Sequence, residues 1–134
     1  MHKYLLPLLL FVICSVACSK MPLHPTAAPI ITQEEVIHIL AAKAPQQKLL
    51  PQNIQQLQSY QYNNHTYTHI TYTNEQQATA TLVIESYYNT EGQLVYTSYR
   101  CDSNFCACQI IIELSELGEP SIRCSCTPCT MTIQ

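Results

Sequence analysis

The stretch that decides the fold is Cys101–Cys129, CDSNFCACQIIIELSELGEPSIRCSCTPC. It holds six of the chain's eight cysteines, grouped as Cys101-x4-Cys106-x-Cys108 and Cys124-x-Cys126-x2-Cys129. Between the groups, apolar and polar residues alternate with a period of two on both sides of Glu116-Leu117-Gly118. That pattern predicts two strands, Cys106 to Ser115 and Pro120 to Thr127, joined by a short loop with glycine at the position that needs positive φ. A hairpin of this kind folds one cysteine group back onto the other. Thiols brought together in an oxidising space pair, so three structural disulfides are the first reading of Cys101, Cys106, Cys108, Cys124, Cys126 and Cys129.

Upstream of this stretch the period of two continues. Strands are expected over His65–Thr73, Ala78–Tyr88 and Gln93–Cys101, separated by short polar turns, and the chain's two glycines, Gly92 and Gly118, both fall in turns. Connections this short require an antiparallel meander. With Tyr88 facing Gln93, Cys101 facing Cys106 and Ser115 facing Glu119, one face collects Leu82, Ile84, Val95, Tyr99, Ile110, Ile112 and Ile122. The same registers suggest Cys101–Cys106, Cys108–Cys126 and Cys124–Cys129 as partners.

Before the strands, Thr32 and Glu35 form a capping box and Ile31 and Val36 a hydrophobic staple, so a helix starts at Gln33, and Pro45 forbids its continuation past Ala44. Gln46–Gln61 reads either as a short second helix or as the start of a strand. The expected fold is α+β: an N-terminal helix packed on a disulfide-stapled antiparallel meander of four to five strands, with a small closed barrel plus helix as the alternative.

The first residues carry an address. His2 and Lys3 precede an apolar run from Tyr4 to Val16, too short to span a bilayer and in proportion for an export signal. Its ending, Ser15-Val16-Ala17-Cys18, resembles the lipobox of bacterial lipoproteins. That resemblance implies removal of residues 1–17, lipidation of Cys18 and anchorage in the bacterial cell envelope outside the cytoplasm. An ordinary signal peptide, leaving a soluble secreted protein, is the alternative. Residues 18–29, with Pro22, Pro25 and Pro29, read as a tether and residues 30–134 as one small domain.

Composition narrows the function. From Cys18 onward there are five basic and nine acidic residues, and only 11% of the chain is charged. No basic patch for nucleic acid is present. The implied partners are the membrane, through the N-terminal lipid, and a protein or glycan met by a neutral, hydrogen-bonding surface. Tyr60, Tyr62, Tyr67, Tyr72, Tyr87 and Tyr88 are the candidate contact residues, because tyrosine combines apolar area with a hydroxyl at small entropic cost.

Chemistry is thinner. His65 and His69 lie about 13 Å apart along one strand, too far to share an ion. Two glycines in turns leave no phosphate loop. The sequence therefore points to a non-enzymatic envelope lipoprotein without cofactor, whose disulfide-stabilised domain binds or supports something at the cell surface. Two alternatives attach to the cysteines: a zinc or copper site at Cys106, Cys108, Cys124 and Cys126, and thiol redox chemistry at Cys106-Ala107-Cys108. The order helix then meander is similar to that of cystatin-like domains, in architecture only, since the glutamine-valine-glycine motif of cystatins is missing.

Overall fold

The computed structural model describes residues 27–43, 49–104 and 106–134; the expected signal peptide, the lipidation site Cys18 and most of the tether lie outside them. Helix α1 spans Gln33–Lys43. Its start is the reciprocal pair read from the sequence: the Thr32 backbone N–H donates to Glu35 Oε2 at 2.7 Å, and the Glu35 N–H donates to Thr32 Oγ1 at 3.3 Å. The hydrogen bonds from Thr32 hold the Glu35 carboxyl below its ordinary pKa.

Seven strands follow: β1 Ile54–Tyr62, β2 His65–Thr73, β3 Thr79–Tyr88, β4 Leu94–Asp102, β5 Ile110–Leu114, β6 Pro120–Cys124 and β7 Thr130–Ile133. Five form one antiparallel sheet in the order β1-β2-β3-β4-β7, while β5 and β6 pair only with each other. The sheet is open, with β1 and β7 at its edges, so the closed-barrel alternative does not form. β1 occupies the stretch that the sequence left divided between helix and strand. It joins β2 through Asn63 and Asn64, both at positive φ (52° and 65°), the two-residue turn that matches strand twist.

The two faces of the sheet bury different things. On one, Ile70, Leu82 and Ile84 share a buried cluster with Ile31, Val36, Ile39, Leu40 and Leu49. Beside it the face turns polar and small, with Thr66, Thr68 and Ser86 all fully buried. There Ala28, placed in the tether by the sequence, is itself fully buried: its N–H donates to the Asn64 carbonyl and its own carbonyl accepts from Thr66 Oγ1. The opposite face gathers Val83, Cys101 and Ile110 with Tyr67, Tyr99, Ile112, Ile122 and Met131, and here the β5–β6 hairpin lies on the sheet.

Two expectations are corrected at this point. Tyr88 pairs with Leu94 rather than Gln93. A one-residue slip exchanges the faces of a strand, so Val95 and Tyr99 share a side with Val83, and Leu82 and Ile84 point the other way. The meander also stops at β4. The chain leaves the sheet after Asp102, makes the β5–β6 hairpin, and returns as β7, whose Met131 pairs with Cys101. The expected β4–β5 pairing is replaced by β4–β7, whereas the Ser115–Glu119 closure of β5–β6 is as expected, with the Ser115 N–H donating to the Glu119 carbonyl at 2.9 Å.

Three loops share one design. Asn74, Asn89 and Ser115 each use a side-chain oxygen to accept backbone N–H groups two and four residues on, and the residue three positions on adopts positive φ. That residue is Gly92 (76°) and Gly118 (78°) in two loops but Gln77 (60°) in the third. A side chain in the left-handed region costs about 1 to 2 kcal/mol. Gln77→Gly is therefore expected to stabilise the domain by about 0.5 to 1 kcal/mol once the added freedom of the unfolded chain is offset. A chemical-denaturation midpoint that falls instead would show that the Gln77 side chain contributes more than its backbone loses.

Candidate functional site

The cysteine-rich end is built around Ile110. Its N–H donates to Thr81 Oγ1 at 2.7 Å, and its carbonyl accepts from His69 Nε2 at 3.2 Å, so the first residue of β5 is hydrogen-bonded to both β3 and β2. Directly opposite Ile110 in the hairpin is Cys124, which is bonded to Cys101 of β4 with a Cα separation of 5.6 Å. Hydrogen bonds and a cross-link thus clamp the same end of the hairpin to the sheet. His69, for which the sequence offered no role and which it placed too far from His65 to share an ion, is one of the positioning groups.

The other four cysteines converge beyond this clamp. Cys106 and Cys126 stand at disulfide distance with Cα atoms 7.8 Å apart, and Cys108 and Cys129 likewise with Cα atoms 5.9 Å apart. All three pairs differ from the expected partners. With β4 paired to β7, Cys101 cannot meet Cys106 along a strand and reaches across the layers to Cys124. Cys108 and Cys126 do neighbour each other as the hairpin register requires, at 3.9 Å between sulfurs. Further sulfur contacts are 3.8 Å for Cys106–Cys108, 3.6 Å for Cys106–Cys129 and 2.6 Å for Cys126–Cys129. The four sulfurs all lie within 4.8 Å of one another, and each cysteine is half-buried. This set contains Cys129, where the sequence suggested Cys124 as the fourth ligand; Cys124 is held away by Cys101.

Cys106 and Cys108 also border a cleft of about 360 Å³ whose other walls include Leu40, Leu49, Tyr72 and Arg100. The nearby guanidiniums have carboxylate partners: Arg100 Nε contacts Asp102 Oδ2 at 2.6 Å, and Arg123 bonds to Glu113 across the hairpin. That hydrogen bond holds the Glu113 carboxyl below its ordinary pKa and raises that of Arg123.

A second constellation lies on the same face of the sheet, past the hairpin. Glu85 of β3, with only 12% of its side chain exposed, accepts from His65 Nδ1 at 2.6 Å and from the Tyr99 hydroxyl at 2.5 Å. The His65 ring stacks on Tyr87 at 4.7 Å between centroids and on Tyr67 at 6.1 Å. Burial, followed by the neighbouring Glu85 carboxylate, pushes the Tyr67 and Tyr99 hydroxyls well above the ordinary phenol range. Both remain neutral donors through any physiological pH. In register with them on β1 stand Tyr60, opposite Tyr67, and Tyr62, opposite His65. Four of the six tyrosines singled out in the sequence therefore share this face, while Tyr72 and Tyr88 belong to the other. Glu85 went unremarked in the sequence and Tyr99 was read only as a residue of the apolar face, although the Asn74 loop sets a β2–β3 register that puts Tyr67 opposite Glu85.

No protein-family model matches the chain, and no curated protein or solved structure does either.

Proposed function

We propose that this chain is a non-enzymatic, lipid-anchored binding domain of the bacterial cell envelope, and that it holds the glycan strands of the cell wall against the tyrosine-bearing half of its sheet. The observation that carries this reading is the division of one face by the β5–β6 hairpin, which leaves Tyr60, Tyr62, Tyr67, Tyr87 and Tyr99 around the His65–Glu85 pair. Flat rings offer apolar area to the C–H faces of sugars, and phenol, imidazole and carboxylate groups offer donors and acceptors to sugar hydroxyls. A ligand held through its hydroxyls and ring faces rather than through charge suits a site with one paired carboxylate and a chain only 11% charged. The lipid anchor rests on the lipobox-like Ser15-Val16-Ala17-Cys18, and the proline-bearing tether would let the domain reach envelope polymers. The disulfides keep the hairpin in place in an oxidising compartment.

The test uses the full chain purified from its native envelope. Its mass is expected to show a lipid on a chain that begins at Cys18. The protein is expected to sediment with purified peptidoglycan sacculi, and Tyr62→Ala with Tyr87→Ala is expected to weaken retention about tenfold or more, the scale of a 1.4 kcal/mol contact. Tyr88→Ala, on the opposite face, serves as the control and should retain binding. Sedimentation that is absent, or equal in the double variant, would remove the glycan reading.

A further inference from the structure

We propose that Cys106, Cys108, Cys126 and Cys129 form, in the reduced chain, a tetrathiolate site for one Zn²⁺ ion. The inference goes beyond the binding-domain reading, which requires only that the hairpin be tied down.

Three observations converge on an ion rather than on disulfides alone. First, the sulfurs do not fall into two isolated pairs. Each lies within 4.8 Å of the other three; Cys106–Cys108, Cys106–Cys129 and Cys108–Cys126 are 3.8, 3.6 and 3.9 Å apart, and Cys126–Cys129 is closer at 2.6 Å. Zinc–thiolate bonds of about 2.3 Å in a tetrahedron put all six sulfur pairs about 3.8 Å apart, so three pairs already have that spacing, and Cys126–Cys129 and the two pairs at disulfide distance open to it once the chain is reduced. Second, the Cα atoms of Cys106 and Cys126 are 7.8 Å apart, past the 6.8 Å or so that a disulfide usually spans; an ion between two sulfurs accommodates the longer span. Third, the backbone presents the ligands as two short chelates. Cys126-Thr127-Pro128-Cys129 closes a turn in which the Cys129 N–H donates to the Cys126 carbonyl at 3.1 Å, and Cys106 and Cys108 flank Ala107 in the wall of the 360 Å³ cleft, so an ion can reach them through it.

The fifth and sixth cysteines supply the contrast. Cys101 and Cys124 form a separate pair at the buried end of the hairpin, and neither belongs to the four-sulfur group. Binding is a proton exchange: four thiols lose four protons and one Zn²⁺ enters, leaving a centre with two negative charges. Four thiolates in a tetrahedron select zinc over the hard cations that prefer oxygen.

The experiment takes the full chain, reduces its disulfides with a phosphine under argon, and titrates it with Co²⁺ and then Zn²⁺. One Co²⁺ per chain is expected, with the visible bands of a tetrahedral site and thiolate charge transfer, displaced by an equal amount of Zn²⁺. Cys129→Ser and Cys106→Ser are each expected to weaken Zn²⁺ binding by more than about 100-fold, beyond what loss of a supporting second-layer contact costs. A variant that fails to fold would mimic this result, so alkylation of the unaltered reduced chain supplies a second readout. Added Zn²⁺ should protect Cys106, Cys108, Cys126 and Cys129 from labelling and a chelator should reverse that protection, whereas labelling of Cys124 and of the buried Cys101 should be the same with and without the ion. Absence of the tetrahedral cobalt spectrum, protection of a different set of cysteines, or undiminished affinity in Cys129→Ser would overturn the proposal. Sacculus binding is read on the oxidised chain, so either idea can fail without the other.

Discussion

Replacing Cys101 and Cys124 together by alanine is expected to lower stability by about 3 kcal/mol, the loop-closure contribution of a cross-link spanning 23 residues. Small domains hold net stabilities of about 5 to 15 kcal/mol, so the variant should be well folded at low temperature and melt far earlier. The loss is expected to be local before it is global. Cys101 and Cys124 join the hairpin to β4 beside Val83 and Ile110, both buried. Without the bond, that end is held by the Ile110 hydrogen bonds to Thr81 and His69, and hydrogen exchange should accelerate first at Ile110 and along β6. Protection of the β2–β3 amides should persist until global unfolding. Both cysteines are replaced because one remaining thiolate could attack the nearby Cys106, Cys108, Cys126 and Cys129 sulfurs and reshuffle them. A denaturation midpoint shifted by less than about 1 kcal/mol would mean that these four cysteines and the core hold the hairpin without Cys101–Cys124.

The parts of this molecule that were legible in the sequence are those decided within a few residues. The Thr32–Glu35 box fixes the start of α1, and the Gly118 loop fixes β5 against β6, because each makes its hydrogen bonds inside its own segment. The Asn89 loop shows the limit. Its side chain accepts from the N–H groups of Glu91 and Gln93, so Gln93 is consumed in the loop and the first strand pair is Tyr88–Leu94. Reading Gln93 as a strand residue moved β4 by one position, enough to bring Val95 and Tyr99 to the side of Leu82 and Ile84. β7 gave no local signal: four residues, Thr130–Ile133, become a strand only because β4 offers them an open edge.

The same physics separates the legible part of the site from the rest. Six cysteines in two groups announce that they meet, but six cysteines allow fifteen pairings, and the choice turned on which strand lies beside β4. The Glu85–His65–Tyr99 network joins residues from β2, β3 and β4. Each looks like an ordinary strand residue alone, and together they become a half-buried carboxylate with two donors. Among the described residues no buried side-chain polar atom lacks a partner. The polarity of this candidate site consists of satisfied groups at the margin of a core, which single-residue patterns do not reveal.

The second large effect follows from the sheet acting as a wall between two cores. Ile70 is fully buried in the cluster that contains Leu40 and Leu82, while Ile110 is 2% exposed in the cluster with Val83 and Cys101 on the other side. Ile70→Ala and Ile110→Ala are each expected to cost about 2 to 5 kcal/mol, the transfer free energy of the deleted carbons plus the cavity they leave. Ile70 should fall in the upper part of that range, because it occupies the middle of a central strand, opposite Leu57 on one side and Leu82 on the other, where neighbours cannot collapse inward. Ile110 sits beside the Cys101–Cys124 bond, on a hairpin that can settle toward the vacated space, so its loss should be smaller. The two clusters share no residue, so the double variant, measured by urea denaturation in a stabilising salt, should lose the sum of the single losses to within about 0.5 kcal/mol. A coupling larger than about 1 kcal/mol would show that the sheet bends as a unit and transmits packing from one face to the other. In that case the tyrosine-bearing half, which shares β2, β3 and β4 with both cores, would be tuned from beneath by the helix-side cluster and not only by the hairpin at its edge.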